Sequence, residues 1–219
     1  MIETGVVLST RNEWEVLLKI YNIVEDKIIK YPFGEYFTIN IYNKEVLFFR
    51  CAGRKIYASA STQYMIDKFS LKKIIHIGSA TAVADYVDYG DIVIPTLLAE
   101  YDTTIREVEP LIKPSSMIEL EELKVTMDHI DGLIGTSDKS LVTKRDYSMV
   151  RETSMVASDT ESAAIAKVAI ANGVKIIVIK GISDRPIKDE GYEEQYEVFE
   201  ENAPVIIKNI IENYLLEVI

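Results

Sequence analysis

Apolar positions along this chain follow two alternating rhythms, and their succession predicts an α/β architecture. Thr4 to Ser9 is a short apolar run, read as a first strand. Thr10-Arg11-Asn12-Glu13 then fits the T-x-x-E capping box, and Trp14, Leu17, Leu18 and Tyr21 follow at helical spacing, so a helix is expected to about Val24. Glu35 to Asn40 and Glu45 to Arg50 are strand-like runs whose linker, Tyr42-Asn43-Lys44, suits a hairpin. Lys55 to Lys68 is rich in small residues and reads as a helix, and Lys73 to Ile77 as a central strand.

In the second half, Ala99 to Pro110 is expected to form a loop and strand, and Ser115 to Leu123 a helix. Gly132 to Ser137 reads as a strand, with Met155 to Ala157 leading into the most regular unit of the chain. That unit, Ser158 to Asp184, predicts a helix slimmed by Ala163, Ala164, Ala166 and Ala169, a turn at Gly173, and a strand from Lys175 to Lys180. Ser158 or Asp159 can cap the helix, and Ser158 with Glu161 also fits an S-x-x-E capping box. Arg185-Pro186 opens a loop, and Tyr192 to Ile219 is expected to be helical with a break or kink at Pro204. Neither a repeat nor a linker interrupts the pattern, so one domain is expected over residues 1–219.

Composition narrows the field. With 48% hydrophobic and 27% charged residues the chain is too apolar for disorder. A net charge of −11 disfavours contact with a phosphate backbone, so no nucleic-acid partner is expected. One cysteine, Cys51, forms no intrachain disulfide, and two histidines, His76 and His129, without further cysteines argue against a structural metal. The opening MIETGVVLST has no basic segment followed by a long apolar one, and no apolar run spans a membrane. A cytoplasmic protein with neither membrane partner nor cofactor is the expectation.

Two segments carry chemistry. Thr160 to Ala166 (TESAAIA) followed by Lys180 to Asp184 (KGISD) resembles the MEAAAIA and RAISD segments of the nucleoside phosphorylase and nucleosidase superfamily, most closely its methylthioadenosine/S-adenosylhomocysteine nucleosidase branch. The likeness continues at Ile77-Gly78-Ser79-Ala80-Thr81-Ala82 and at Tyr89 to Pro95, where relatives carry a GSAGG or GTAGA turn and then VGDIVI; here Ala80, Thr81 and Ala82 replace the later glycines. The resemblance implies a three-layer αβα fold around a central mixed, partly barrel-like sheet. It implies an enzyme that cleaves the N-glycosidic bond of a nucleoside, assembled as a dimer or hexamer.

Carried over position by position, the resemblance makes Asp184 the acid that protonates the leaving base and Glu161, beside Thr160, the ligand of the ribose hydroxyls. Glu13 would activate water, with Glu15 as the competing position if the loop is shifted. Gly78 and Ser79 would meet the ligand through the turn they occupy, and Ser140 and Leu141 would face the base. Each acidic candidate also has a plain structural explanation. Glu13 and Glu161 fit capping boxes, and Asp184 could simply terminate a strand. His76 reads as a satisfied core histidine, Cys51 as packing, and the acidic and aromatic residues of Glu190 to Glu201 as a solvated face.

Three functions stay open. Water as nucleophile makes the protein a nucleosidase, and a glutamate in that region suits it. Inorganic phosphate as co-substrate makes it a phosphorylase and requires cations, for which Arg11, Arg50 and Arg54 are available. A nucleoside-binding protein without catalysis is the third.

Overall fold

The computed structural model describes residues 2–102, 117–186 and 192–219. Its centre is a mixed sheet of eleven strands, in which β1 (Thr4–Leu8) and β11 (Lys175–Asp184) flank β5 (Lys73–Ala82), both parallel to it. Beyond β1 lie β4 (Lys44–Cys51), β3 (Gly34–Ile41) and β2 (Ile29–Tyr31). Beyond the far end of β5 lie β10 (Met155–Asp159), β9 (Leu133–Thr136), β7 (Leu97–Glu100) and β8 (Ile118–Glu119), while β6 (Ile92–Val93) pairs with β11.

Alternation along the central strands builds the layers. Ile75, Ile77, Ile177 and Ile179 pack with α1 (Arg11–Ile20) and α5 (Tyr192–Asn209) through Trp14, Leu17, Ile206 and Ile207. Ile74, Ile176 and Val178 pack on the other face with α2 (Lys55–Phe69) and α4 (Ser162–Ala171), through Ala58, Met65, Ala163 and Ala166. Helices on both faces of one sheet make the three layers that were expected. Among the described residues no helix is long and apolar enough to cross a membrane.

Local chemistry explains most boundaries. Thr10 and Glu13 form the reciprocal capping box that starts α1, which ends at Ile20 rather than near Val24. The β3–β4 hairpin closes through Tyr42 and Asn43, at φ 49° and 61°, the paired positive values a two-residue turn of matching twist needs.

Several expectations change. The predicted turn after Ile77 is instead strand, because β5 and β11 stay paired as far as Thr81 and Asp184. Residues 117–123 form the short strand β8 and coil rather than helix, since Ile118 pairs with Leu98 and buries against the sheet. The rest of the segments expected over Ala99 to Pro110 and Ser115 to Leu123, from 103 to 116, lies outside the described residues. Pro204 does not break α5; the helix runs through it and departs from α geometry later, in a π-helical turn over Ile210–Leu215. Between β9 and β10 a short helix α3 (Lys144–Val150) appears, begun by a capping box of Thr143 and Asp146 that hydropathy alone did not mark.

Candidate active site

The C-terminal ends of β5, β10 and β11, the first turn of α1 and one face of α5 enclose a cavity of about 260 Å³. Glu13, Gly53, Arg54, Ser79, Thr81, Ser140, Leu141, Thr160, Glu161, Lys180, Asp184 and Gln195 are among its walls. Gly78 stands directly behind it. Seven of the eight residues singled out in the sequence therefore line this cavity, and Gly78 lies next to two of its wall residues, Glu13 and Lys180.

Glu13 reaches the cavity because its capping box already fixes it. Oε2 accepts from the Thr10 amide at 3.2 Å, and Oε1 turns to β5, accepting from the Ser79 amide at 2.7 Å and the Ser79 hydroxyl at 2.8 Å. Capping and site geometry are thus the same arrangement. Glu15 points away and pairs at 2.9 Å with the exposed Arg11. Gly78 has a spatial reason to lack a side chain: a Cβ there would lie 3.1 Å from Lys180 Nζ and 3.3 Å from Glu13 Oε1.

Glu161 caps nothing. It is itself the residue preceding α4, with no side-chain bond to the helix, so the S-x-x-E capping box read from Ser158 does not form. Asp159 takes that role, accepting from the Ser162 amide at 3.1 and 3.2 Å. Released from capping, Glu161 accepts through Oε1 from the Arg54 amide at 3.1 Å and from the Thr160 hydroxyl, which leaves Oε2 available to a ligand. Burial pushes its pKa up, and Asp159 adds to the rise while Lys180 opposes it. The Arg54 backbone sits at φ 85° and ψ 156°, a region favourable only to glycine, in order to offer that amide.

Asp184 owes its position to an irregularity in β11. The register shifts between Ile182 and Asp184, so Ser183 bulges and Asp184 comes opposite Thr81. Its oxygens accept from Ser183 Oγ at 2.7 Å, Thr81 Oγ1 at 3.1 Å and Gln195 Nε2 at 2.6 Å. Burial nonetheless prevails and raises its pKa. The amide nitrogen of Gln195 can only donate, so Oδ2 must accept and a proton on Asp184 rests on Oδ1. Ser183 Oγ can then redirect its own proton to the Ala80 carbonyl, 3.4 Å away.

Three further residues belong to the site: Lys180, which opens the second motif, and His76 and Gln195, which lie outside both. Lys180 is fully buried, 3.2 Å from Asp159 Oδ2 and 3.1 Å from His76 Nε2. Its pKa is raised: burial lowers it, but Asp159, Glu161 and Glu13 together outweigh that. Burial and Lys180 push the His76 pKa well down, so the ring is neutral. Its Nε2 accepts from Lys180, Nδ1–H donates to Ser162 Oγ at 3.1 Å, and Ser162 in turn donates to Asp159. His76 is a satisfied core histidine of a buried polar chain. With Asp159 and Glu161 it could offer ligand atoms to a metal ion, but the Lys180 ammonium already supplies a cation beside them. Gln195 is the other addition. It is buried, and Tyr196 and Phe199 line the cavity with it, so the segment read as a solvated face has one face in the site.

The remaining candidates divide. Ser140 and Leu141 lie on a loop held by Asp146, whose carboxylate accepts from Lys139, the amides of Val142 and Thr143, and the Thr143 hydroxyl. Arg54 lines the cavity and donates to Ser140 Oγ and the Asp138 carbonyl. Arg11 and Arg50 are not among the cavity walls, and Arg50 pairs with Glu35 at 3.2 Å. Cys51 is buried in the core, its thiol pushed up to about 12 by burial.

Residues 4–215 match the family model described as the phosphorylase superfamily. The chain belongs to that superfamily. Among individual relatives, it is 30% identical over 166 residues to a 5′-methylthioadenosine/S-adenosylhomocysteine nucleosidase of Bacillus pumilus, covering 68% of this chain and 72% of the relative. It is 24% identical over 233 residues to the nucleosidase of the same name from Buchnera aphidicola, covering 98% of this chain and 99% of the other. The fold is shared with the corresponding nucleosidase of Colwellia psychrerythraea, solved in complex with adenine: TM-score 0.76 and 20% identity, over 95% of this chain and 92% of that one.

Proposed function

We propose that this protein hydrolyses the N-glycosidic bond of a purine nucleoside. The observation that carries the reading is the meeting of Glu13, Glu161 and Asp184, from three separated segments, around one cavity. Breaking the bond between sugar C1′ and purine N9 leaves positive charge on the ribose and negative charge on the base. Asp184, protonated on Oδ1, gives its proton to N7 as the bonding electrons move into the purine. Glu161 accepts from ribose hydroxyls through Oε2 and favours the cationic sugar. Glu13, held by Ser79 and Thr10, orients a water, whose oxygen bonds to C1′ while its proton passes to the carboxylate. Asp184 ends without its proton and Glu13 with one, and exchange with solvent restores both.

Phosphorolysis is the second reading, since the superfamily is that of the phosphorylases. Water is favoured because Glu13 occupies the nucleophile's side and would repel phosphate. Of the cations at hand, Lys180 is already paired with Asp159, Arg11 and Arg50 are paired elsewhere, and Arg54, which does line the cavity, donates to the Asp138 carbonyl and Ser140 Oγ. The relatives named as nucleosidases support the same choice. The purified protein, incubated with adenosine, inosine or methylthioadenosine, is expected to release the base equally with and without phosphate. Strict phosphate dependence would replace the nucleosidase by a phosphorylase, and no release from any nucleoside would leave only binding.

The choice between the two N-terminal glutamates has its own test. Glu13→Gln is expected to lower kcat by about 10²–10⁴, the range for a lost acid–base group. Glu15→Gln removes only an exposed pair with Arg11 and should stay within about twofold. The reverse ranking would move the water-activating role to Glu15.

An oligomer, dimer or hexamer, belongs to the same proposal. Ile56 is 75% exposed and Tyr57 52% exposed at the start of α2, immediately after the cavity residues Gly53 and Arg54. Apolar side chains standing free beside a site suit an interface between copies. Light scattering is expected to give a multiple of the monomer mass, shifted toward the monomer by Ile56→Glu. A monodisperse monomer at micromolar concentration would refute it.

A further inference from the structure

Gln195 carries a buried polar atom with nothing to bind. Its Nε2 donates to Asp184 Oδ2 at 2.6 Å and to the Leu141 carbonyl at 2.8 Å. A carbonyl can only accept, so the amide cannot be turned end for end without facing oxygen to oxygen. Oε1 is therefore fixed as an acceptor, and among the described residues it has no hydrogen-bond partner. The residue is 5% exposed and lines the cavity beside Asp184. A buried unpaired acceptor costs free energy that a water or a ligand donor recovers.

We propose that Gln195 reads the base: its Oε1 accepts a hydrogen bond from an N–H carried next to the purine nitrogen that Asp184 protonates. This rests on the nucleosidase reading above and specifies which bases that site takes. The edge of a purine that carries N7 also carries the 6-substituent. A 6-amino group there is a donor, whereas a 6-oxo group is a second acceptor. With Asp184 giving its proton to N7, the neighbouring fixed acceptor matches 6-aminopurines and opposes 6-oxopurines. The same amide plays both parts. One end places the proton of Asp184 on Oδ1, and the other checks the group beside the atom receiving it.

The test compares base release from adenosine and inosine by the wild type, Gln195→Leu and Gln195→Met. Any loss through Asp184 is common to both nucleosides and cancels in the ratio of their kcat/KM values. The wild type is expected to favour adenosine by at least about tenfold, and both variants to bring the ratio within about threefold of one. Wild-type turnover of both substrates with a ratio unchanged in the variants would overturn the role of Gln195 and leave the nucleosidase standing. Release of neither base by the wild type would overturn both. As a readout that needs no variant, free adenine should raise the wild-type Tm more than hypoxanthine or unsubstituted purine at equal concentration. Equal shifts would count against a donor-reading residue.

Discussion

Asp184→Asn is expected to lower kcat by about 10²–10⁴ while leaving the fold intact. Asparagine can stand where the protonated acid stands. Its carbonyl accepts from Gln195 Nε2 as Oδ2 does, and its amide nitrogen takes the place of Oδ1–H beside Ser183. What it cannot do is transfer a proton. The pH dependence separates this loss from a structural one. The Asp184 pKa is raised above its usual 3.8 by burial, so its contribution to stability is complete below 3.8 and is lost as pH rises through the folded value. Wild-type kcat should fall across that same rise as the acid ionises, and Asp184→Asn should show a low rate without that limb. Stability should move the other way, since the variant never ionises and at neutral pH is at least as stable as the wild type. Paired pH–rate profiles and urea unfolding curves check both parts. Activity within tenfold of wild type, or the same alkaline limb in the variant, would remove Asp184 from the role of acid.

How much of this could be read from the chain depends on whether the deciding interaction is local. The Thr10–Glu13 capping box spans four residues, and the structure forms it as read. The β3–β4 hairpin and the α4–β11 unit are local in the same sense, and their alternation gave the layers. The three carboxylates were legible because short motifs carry them. Glu161 shows where locality misleads: the sequence offers an S-x-x-E box, but Asp159 wins the helix end. Lys180 was invisible for the opposite reason. It reads as the polar end of an apolar strand, and only the pairing of β11 with β5, which sets it across from Gly78 and two residue pairs beyond His76, shows that it is buried. A charge closing such a run should prompt a search for its partners, because a buried ammonium must have them. Gln195 was hidden among glutamates. Positions 195 and 199 share a helix face, but two inward residues among exposed acids make too narrow a stripe to stand out.

Lys180 carries the second large expectation. One buried ammonium faces the carboxylates of Asp159, Glu161 and Glu13, and the neighbouring His76 is neutral. Lys180→Met has similar length and no charge, and it leaves those acids buried with no cation at their centre. Removing one partner of a buried ion pair typically costs about 3–5 kcal/mol, far more than the pair contributes net. The signs are defined. The raised pKa of Lys180 means that its stabilisation is complete below 10.5 and fades only as pH climbs through the folded value, so the wild type keeps it throughout the neutral range. In the variant, Glu161 loses the largest of the influences that lower its pKa, keeping only the Thr160 hydroxyl and the Arg54 amide, so that pKa rises further. Stability that depends on its proton is present at low pH and lost as pH rises through that higher value. The deficit should thus be smallest near pH 5 and largest near pH 8, in urea unfolding of both proteins at the two pH values. Activity should fall as well, most toward low pH, where Glu161 keeps its proton and no longer favours a cationic sugar. A variant as stable as the wild type at both pH values would mean that Asp159 and Glu161 do not depend on this ammonium, and the charge balance assigned to the site would be wrong.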